Sequence, residues 1–208
     1  MRVILYLVGL LITLTVSIEA QADPSLQNQL VKMAQQNQEI RLSLRQYDQQ
    51  NVPVALQLVA AEIDNLHTQT LREIVNLHGW PSKNKVGAQG TQALFLLIKH
   101  SKDLVFQQDM LPLIIQSYLD KDGIAGKDVA QFTDKVSIRL GKKQVFGTQA
   151  ERVNGKLIFA PIENQAGVDS LRAQMGMSSL TEYKKALKQI ETIKPFTNSD
   201  VQAPIGTK

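Results

Sequence analysis

The sequence predicts an α+β fold that is mainly α: an N-terminal helical hairpin packed on a helical core, with one β-hairpin in the C-terminal half. Two patterns predict it. Apolar residues recur at three- and four-residue spacing over several long stretches, which is the period of a helix with one buried face. Two β-prone runs, Gln144-Val145-Phe146 and Leu157-Ile158-Phe159, flank Asn154-Gly155, the dipeptide best suited to a tight hairpin turn. The composition agrees. A chain of 208 residues that is 43% hydrophobic and 20% charged is neither disordered nor a multi-span membrane protein. The absence of cysteine excludes thiol nucleophiles, Cys-ligated zinc and iron–sulfur clusters.

Residues 1–22 read as a signal peptide. Met1-Arg2 gives a short basic start, Val3 to Ile18 is an apolar run, and Ala20-Gln21-Ala22 is a small-residue cleavage site. The run falls short of the roughly 20 residues that span a bilayer. The expectation is a periplasmic or secreted chain beginning at Asp23, with no stable membrane span after cleavage. An uncleaved anchor is the alternative.

Residues 23–52 hold a Gln-rich helix over 25–48. Leu26, Leu30, Met33, Asn37, Ile40, Leu44 and Tyr47 form one narrow stripe, interrupted by Asn37. The stripe packs within the chain, or else serves as a protein-interaction seam. Pro53 then opens the globular part, 53–194. A second helix over 54–78 places Leu56, Val59, Ile63, Leu66, Leu71, Ile74 and Leu77 on one side, and Gly79 caps it. Residues 79–87 read as a turn-rich connector that contains Trp80. The helix over 88–100 is apolar on every side around Ala93 to Ile98, hence buried, and His100 ends it.

Helices follow over 103–120, with Pro112 as a kink site, and over 127–140, with Val129, Phe132, Val136 and Leu140 inward and Asp134 off that stripe. Asp120-Lys121-Asp122-Gly123 fails the calcium-loop pattern at its fifth and sixth positions and reads as a turn. Strands over 143–152 and 156–161 make the hairpin. A short helix over 168–175 and a capping-box helix from Ser179 to about 193 complete the domain, and 195–208 is a flexible tail.

Charge concentrates in the middle: twelve basic and seven acidic residues lie in 83–156. The lysines are scattered with few aromatics between them, so nucleic acid is not an expected partner. The three histidines lack metal-ligand spacing. His67 and His78 are roughly 16 Å apart along one helix. No metal or other cofactor is expected. No nucleophile elbow, phosphate loop or dinucleotide glycine motif occurs.

Several short words occur in a fixed order: Gly79-Trp80-Pro81, His100, Asp134-Lys135, Gln144-Val145-Phe146-Gly147-Thr148-Gln149, and Val168-Asp169-Ser170-Leu171-Arg172. In this order they resemble a bacterial family of unknown function, domain of unknown function 6624, over roughly residues 55–187. Two positions depart from its hallmarks: Lys135 stands in place of Arg and Phe146 in place of Tyr. The resemblance implies no established activity. Read as chemistry, His100 and Asp134 form a candidate acid–base pair. Trp80, Lys135, Gln144, Thr148 and Gln149 are candidate ligand-binding residues. The sequence therefore supports a pocket near His100 and Gln144–Gln149 for a small polar ligand or peptide. The alternatives are a hydrolase or transferase that uses His100 with Asp134, and a purely structural network, since buried polar groups mostly satisfy one another.

Overall fold

A computed structural model describes residues 22–48, 51–153 and 156–193. Seven helices lie among them: α1 (Pro24–Leu44), α2 (Val54–His78), α3 (Lys83–His100), α4 (Leu104–Leu119), α5 (Gly126–Arg139), α6 (Val168–Gln174) and α7 (Leu180–Ile193). β1 (Ala150–Val153) and β2 (Lys156–Phe159) form an antiparallel pair with Ala150 opposite Phe159 and Val153 opposite Lys156. The predicted signal peptide (apart from Ala22), the Asn154-Gly155 tip and the tail over 195–208 lie outside the described residues. No described helix is long and apolar enough to cross a membrane.

α3 is the centre of the core because its apolar residues surround it. Val86, Leu94 and Ile98 are fully buried, and Phe95 meets Phe132 of α5 edge to face at 6.0 Å. α1 lies along α3 and buries Leu26, Leu30, Met33 and Ile40. From Leu26 to Ile40 its stripe is covered by the chain itself, Leu44 is half-buried and Tyr47 exposed, and the helix belongs to the same core as the rest. Asp23 caps it: its carboxylate accepts the Leu26 N–H at 3.0 Å, and its own N–H donates to the Lys85 carbonyl at 2.8 Å. Pro112 is accommodated within α4.

Three expectations need correction. The connector over 79–87 contains the first turn of α3, which breaks at Gly87, where φ is 67°. Next, α2 presents a different face. Val59, Leu66 and Leu77 are at least half exposed, whereas Asp64, His67 and Thr68 are buried beside Leu71 and Ile74. The polar face turns inward because α1 and the end of α3 supply partners: Asn37 and Arg41 for Asp64, Ser101 for Thr68. Finally, β1 begins at Ala150 rather than 143. The backbone amides before it are recruited by a side chain instead of a neighbouring strand, as described below; only Gln144 makes an isolated bridge, to Ile162.

Gly126, at the start of α5, packs against the turn after α6. A β-carbon there would sit 2.6 Å from the Met175 carbonyl oxygen. That atom is backbone and cannot swing away. Gly126→Ala is therefore expected to destabilise by about 1–2 kcal/mol, read as a lower urea midpoint at unchanged m-value.

Candidate functional site

The candidate residues separate into two polar clusters. The first surrounds Asp134. This residue is fully buried, although it lies off the apolar stripe of α5, because the segment 144–149 folds over it. One carboxylate oxygen accepts the N–H groups of Val145 (2.7 Å) and Phe146 (3.0 Å). The other accepts the Thr148 N–H (2.9 Å) and hydroxyl (2.8 Å). Gln144, also fully buried, donates to the carbonyls of Gln149 (3.0 Å) and Ala160 (2.7 Å) and accepts the Gln149 N–H (2.8 Å). The Gln149 amide donates to Thr148 Oγ1 and the Gln131 carbonyl. Gly147, at φ 69°, lets the loop turn tightly around the carboxylate.

Arg172 of α6 closes this cluster from the other side. Its buried guanidinium donates to the carbonyls of Phe146 (2.8 Å) and Ser178 (2.7 Å) and stacks over Tyr183 at 4.9 Å. Every polar atom named here faces another protein group, so the cluster ties α5, the loop, the hairpin and α6–α7 together.

The second cluster lies between α1, α2 and the end of α3. His100 Nδ1 pairs with Asn37 Oδ1. Asn37 Nδ2 donates to Asp64 at 3.0 Å, and Arg41 donates to both oxygens of the same carboxylate, one at 2.6 Å. The tautomer follows. A carboxylate only accepts, so the amide nitrogen of Asn37 faces Asp64 and its oxygen faces His100. The imidazole therefore carries its proton on Nδ1 and leaves a lone pair on Nε2. Nε2 makes no hydrogen bond among the described residues and is not a buried unpaired atom.

His100 is half-buried. Burial, followed by the charges of Arg41, Lys135, Lys99 and Lys102, pushes its pKa down to about 3. Burial also lowers His67, against the opposing pull of Asp64.

Lys135 projects from α5 to the same end of α3. Its ammonium donates to the Lys99 carbonyl. Arg139 donates to the Lys102 carbonyl at 2.7 Å and to Gln107, whose amide in turn serves the carbonyls of Ile98, Lys99 and Ser101. These cations close a helix C-terminus, where the backbone dipole favours positive charge. Burial, and then Lys102, Arg139, Lys99 and Arg41, lowers the Lys135 pKa to about 8.

The family of unknown function DUF6624 matches residues 24–195. The chain belongs to this family. The match reaches further toward the N-terminus than the motifs did and takes in α1, as the shared core requires. No curated protein and no solved structure matches the chain.

The geometry thus keeps His100 and Lys135 at one end of α3 and places Asp134, Gln144, Thr148 and Gln149 together in the other cluster. Asp134 does not orient His100: all four of its bonds go to 145–148, and Asn37 holds the imidazole. Trp80 packs on the core, and its buried Nε1 has no partner; among the described residues it shares no hydrogen bond with His100. An open hollow at the α1–α2 turn is lined by Ser43, Gln46, Tyr47, Pro53, Leu56 and Val59, and by none of the candidates. No described group of three His, Asp or Glu could hold a metal ion.

Asn37, Arg41 and Asp64 were missed by sequence reasoning. The signal was present in part, since Asn37 is the one polar residue in an apolar stripe. A buried Asn needs a partner, and the stripe could have been read as pointing to one.

Proposed function

We propose that this is an exported, periplasmic protein that binds a small polar ligand or peptide at the end of α3 around His100, without turning it over. The observation that supports this most is the state of His100. Its ring is fixed by Asn37 through Nδ1, while Nε2 is left to a guest. A base with a pKa of about 3 is poorly matched to proton abstraction near neutral pH, where an effective general base has a pKa close to the working pH. The carboxylate expected to assist it is engaged elsewhere. Recognition by a fixed acceptor suits this imidazole better than hydrolysis or group transfer does.

Export rests on the signal-like residues 1–22, and the fold gives support at their boundary. Asp23 is the N-cap of α1, so cleavage after Ala22 leaves the capped first turn of α1 intact. Edman sequencing of protein from the periplasmic fraction should start at Asp23. A start at Met1 on membrane-bound protein would instead favour a retained anchor.

Thermal-shift screening of residues 23–208 against periplasmic metabolites and cell-wall fragments tests the binding reading, because a ligand for the folded state raises Tm. A hit should weaken at least tenfold in His100→Met. Hits that are indifferent to His100 would remove the site from this end of α3.

A further inference from the structure

The cations at the end of α3 outnumber what the fold needs there. Lys99, Lys102, Lys135 and Arg139 make no ion pair among the described residues. Asp64 is taken by Arg41, and Asp103, next in sequence to Lys102, is taken by Arg72 at 2.9 Å. The C-terminus of α3 offers about half a negative charge, against four unpaired positive ones. Lys135 uses one of its three donors on the Lys99 carbonyl, which leaves two. The residue after Lys99 is His100, whose Nε2 carries a lone pair. The charges of Lys135, Lys99 and Lys102 act on this ring, so donors and positive charge gather at the end of α3 that also carries the acceptor.

A fully deprotonated anion such as sulfate meets the cations but has nothing to give Nε2. A neutral sugar or peptide offers an O–H or N–H but leaves the charge unbalanced. Hydrogen phosphate supplies both: two negative charges and one O–H.

We infer that the end of α3 is a binding site for a protonated oxyanion of the phosphate class, with Lys135 as its main cation and His100 Nε2 as the acceptor of its O–H. Lys99, Lys102 and Arg139 add the surrounding field. The inference rests on the reading that ligands bind around His100, and it adds their chemical class. Burial and the neighbouring cations lower the Lys135 pKa to about 8, and a bound anion would favour the charged form of the amine.

Isothermal titration of residues 23–208 at pH 7.5 and constant ionic strength, with inorganic phosphate, glycerol 3-phosphate, sulfate and a neutral dipeptide as probes, tests this. Phosphate is expected to bind at least tenfold more tightly than sulfate. His100→Met should bring phosphate down to the sulfate level while leaving sulfate unchanged, and Lys135→Met should weaken both at least tenfold. Lys142→Met, an exposed lysine past the end of α5 that is not among the charges acting on His100 or Lys135, should alter neither. If Lys135→Met does not fold, the exposed Lys102→Met should weaken both anions to a smaller degree. Glycerol 3-phosphate, whose ester phosphate has lost nearly all of its O–H at this pH, should bind close to the sulfate level; binding tighter than that of free phosphate overturns the O–H contact.

Equal affinity for phosphate and sulfate overturns it, as does equal weakening by Lys142→Met. If neither anion binds but the dipeptide does, in a His100-dependent way, the anion class is wrong and the binding site stands. If no probe binds in a His100-dependent way, both fail.

Discussion

Asp134→Ala should lower stability by about 4 kcal/mol. The carboxylate accepts four hydrogen bonds, whose contributions are not additive, and removing one member of a buried charged network costs about 3–5 kcal/mol. The larger part of the loss comes from what is left behind. Three backbone N–H groups and a hydroxyl lose their acceptor, and each stranded buried donor carries a desolvation penalty. Asp134→Asn should do less harm, because one oxygen remains, but its amide places donors against the Thr148 donors. Urea unfolding checks this, with the midpoint falling for both variants and further for Ala. If Asp134 were instead an acid–base residue at an open site, both variants would fold with near-normal midpoints and lose only activity.

The same cluster shows why part of the site was legible in the sequence and part was not. Gln144, Thr148 and Gln149 stood out as a polar run beside a hairpin, and the hairpin itself followed from Asn154-Gly155. That the run closes over Asp134 could not be read from spacing, because the bonds link a helix face to backbone amides of a loop whose path depends on Gly147. Strand propensity favoured extending β1 back to 143; the carboxylate competed for the same N–H groups and won.

The helices were easier, since apolar period and capping are local. The boundaries of α2 at Val54 and His78 match the expected 54–78. Its buried face did not follow from the period, because Asp64, His67 and Thr68 are buried for the sake of partners on α1 and α3. The apolar side carrying Val59 and Leu66 is left outward. A hydrophobic-stripe argument counts apolar residues and cannot weigh an Asp–Arg–Asn–His layer formed by three separate helices.

That layer carries the second large effect. The folded pKa of His100, about 3, lies below its ordinary value of 6.5. Between those values the unfolded chain binds a proton that the folded chain refuses, so unfolding takes up protons and stability falls as pH falls. The contribution of His100 is fully present above pH 6.5 and declines by about 1.4 kcal/mol per pH unit from there down to about pH 3. His67 is shifted in the same direction.

At pH 4.5 the loss from His100 reaches about 2.5 kcal/mol relative to pH 7.5. Acid would thus loosen the contact of α1 and α2 with the end of α3 first, since the proton arrives among Arg41, Lys99, Lys102 and Lys135. Replacing His100 with Gln, which keeps a polar group facing Asn37 but does not titrate, should flatten this part of the pH profile. Urea midpoints at pH 7.5 and 4.5 for both proteins check it. The wild-type chain should lose about 2.5 kcal/mol more than the variant over that interval; equal losses would mean that His100 is not held neutral by its surroundings.

Both expectations depend on one assignment: the imidazole at the end of α3 belongs to Asn37, and the carboxylate of α5 belongs to the loop. Nitrogen-15 NMR of the His100 side chain tests this without a ligand. In residues 23–208 the ring should carry its proton on Nδ1, leave Nε2 bare, and show no titration between pH 7.5 and 5; Asp134→Asn, while folded, should leave that signal in place. A ring that titrates near pH 6.5, or whose tautomer changes when Asp134 is replaced, would contradict the account.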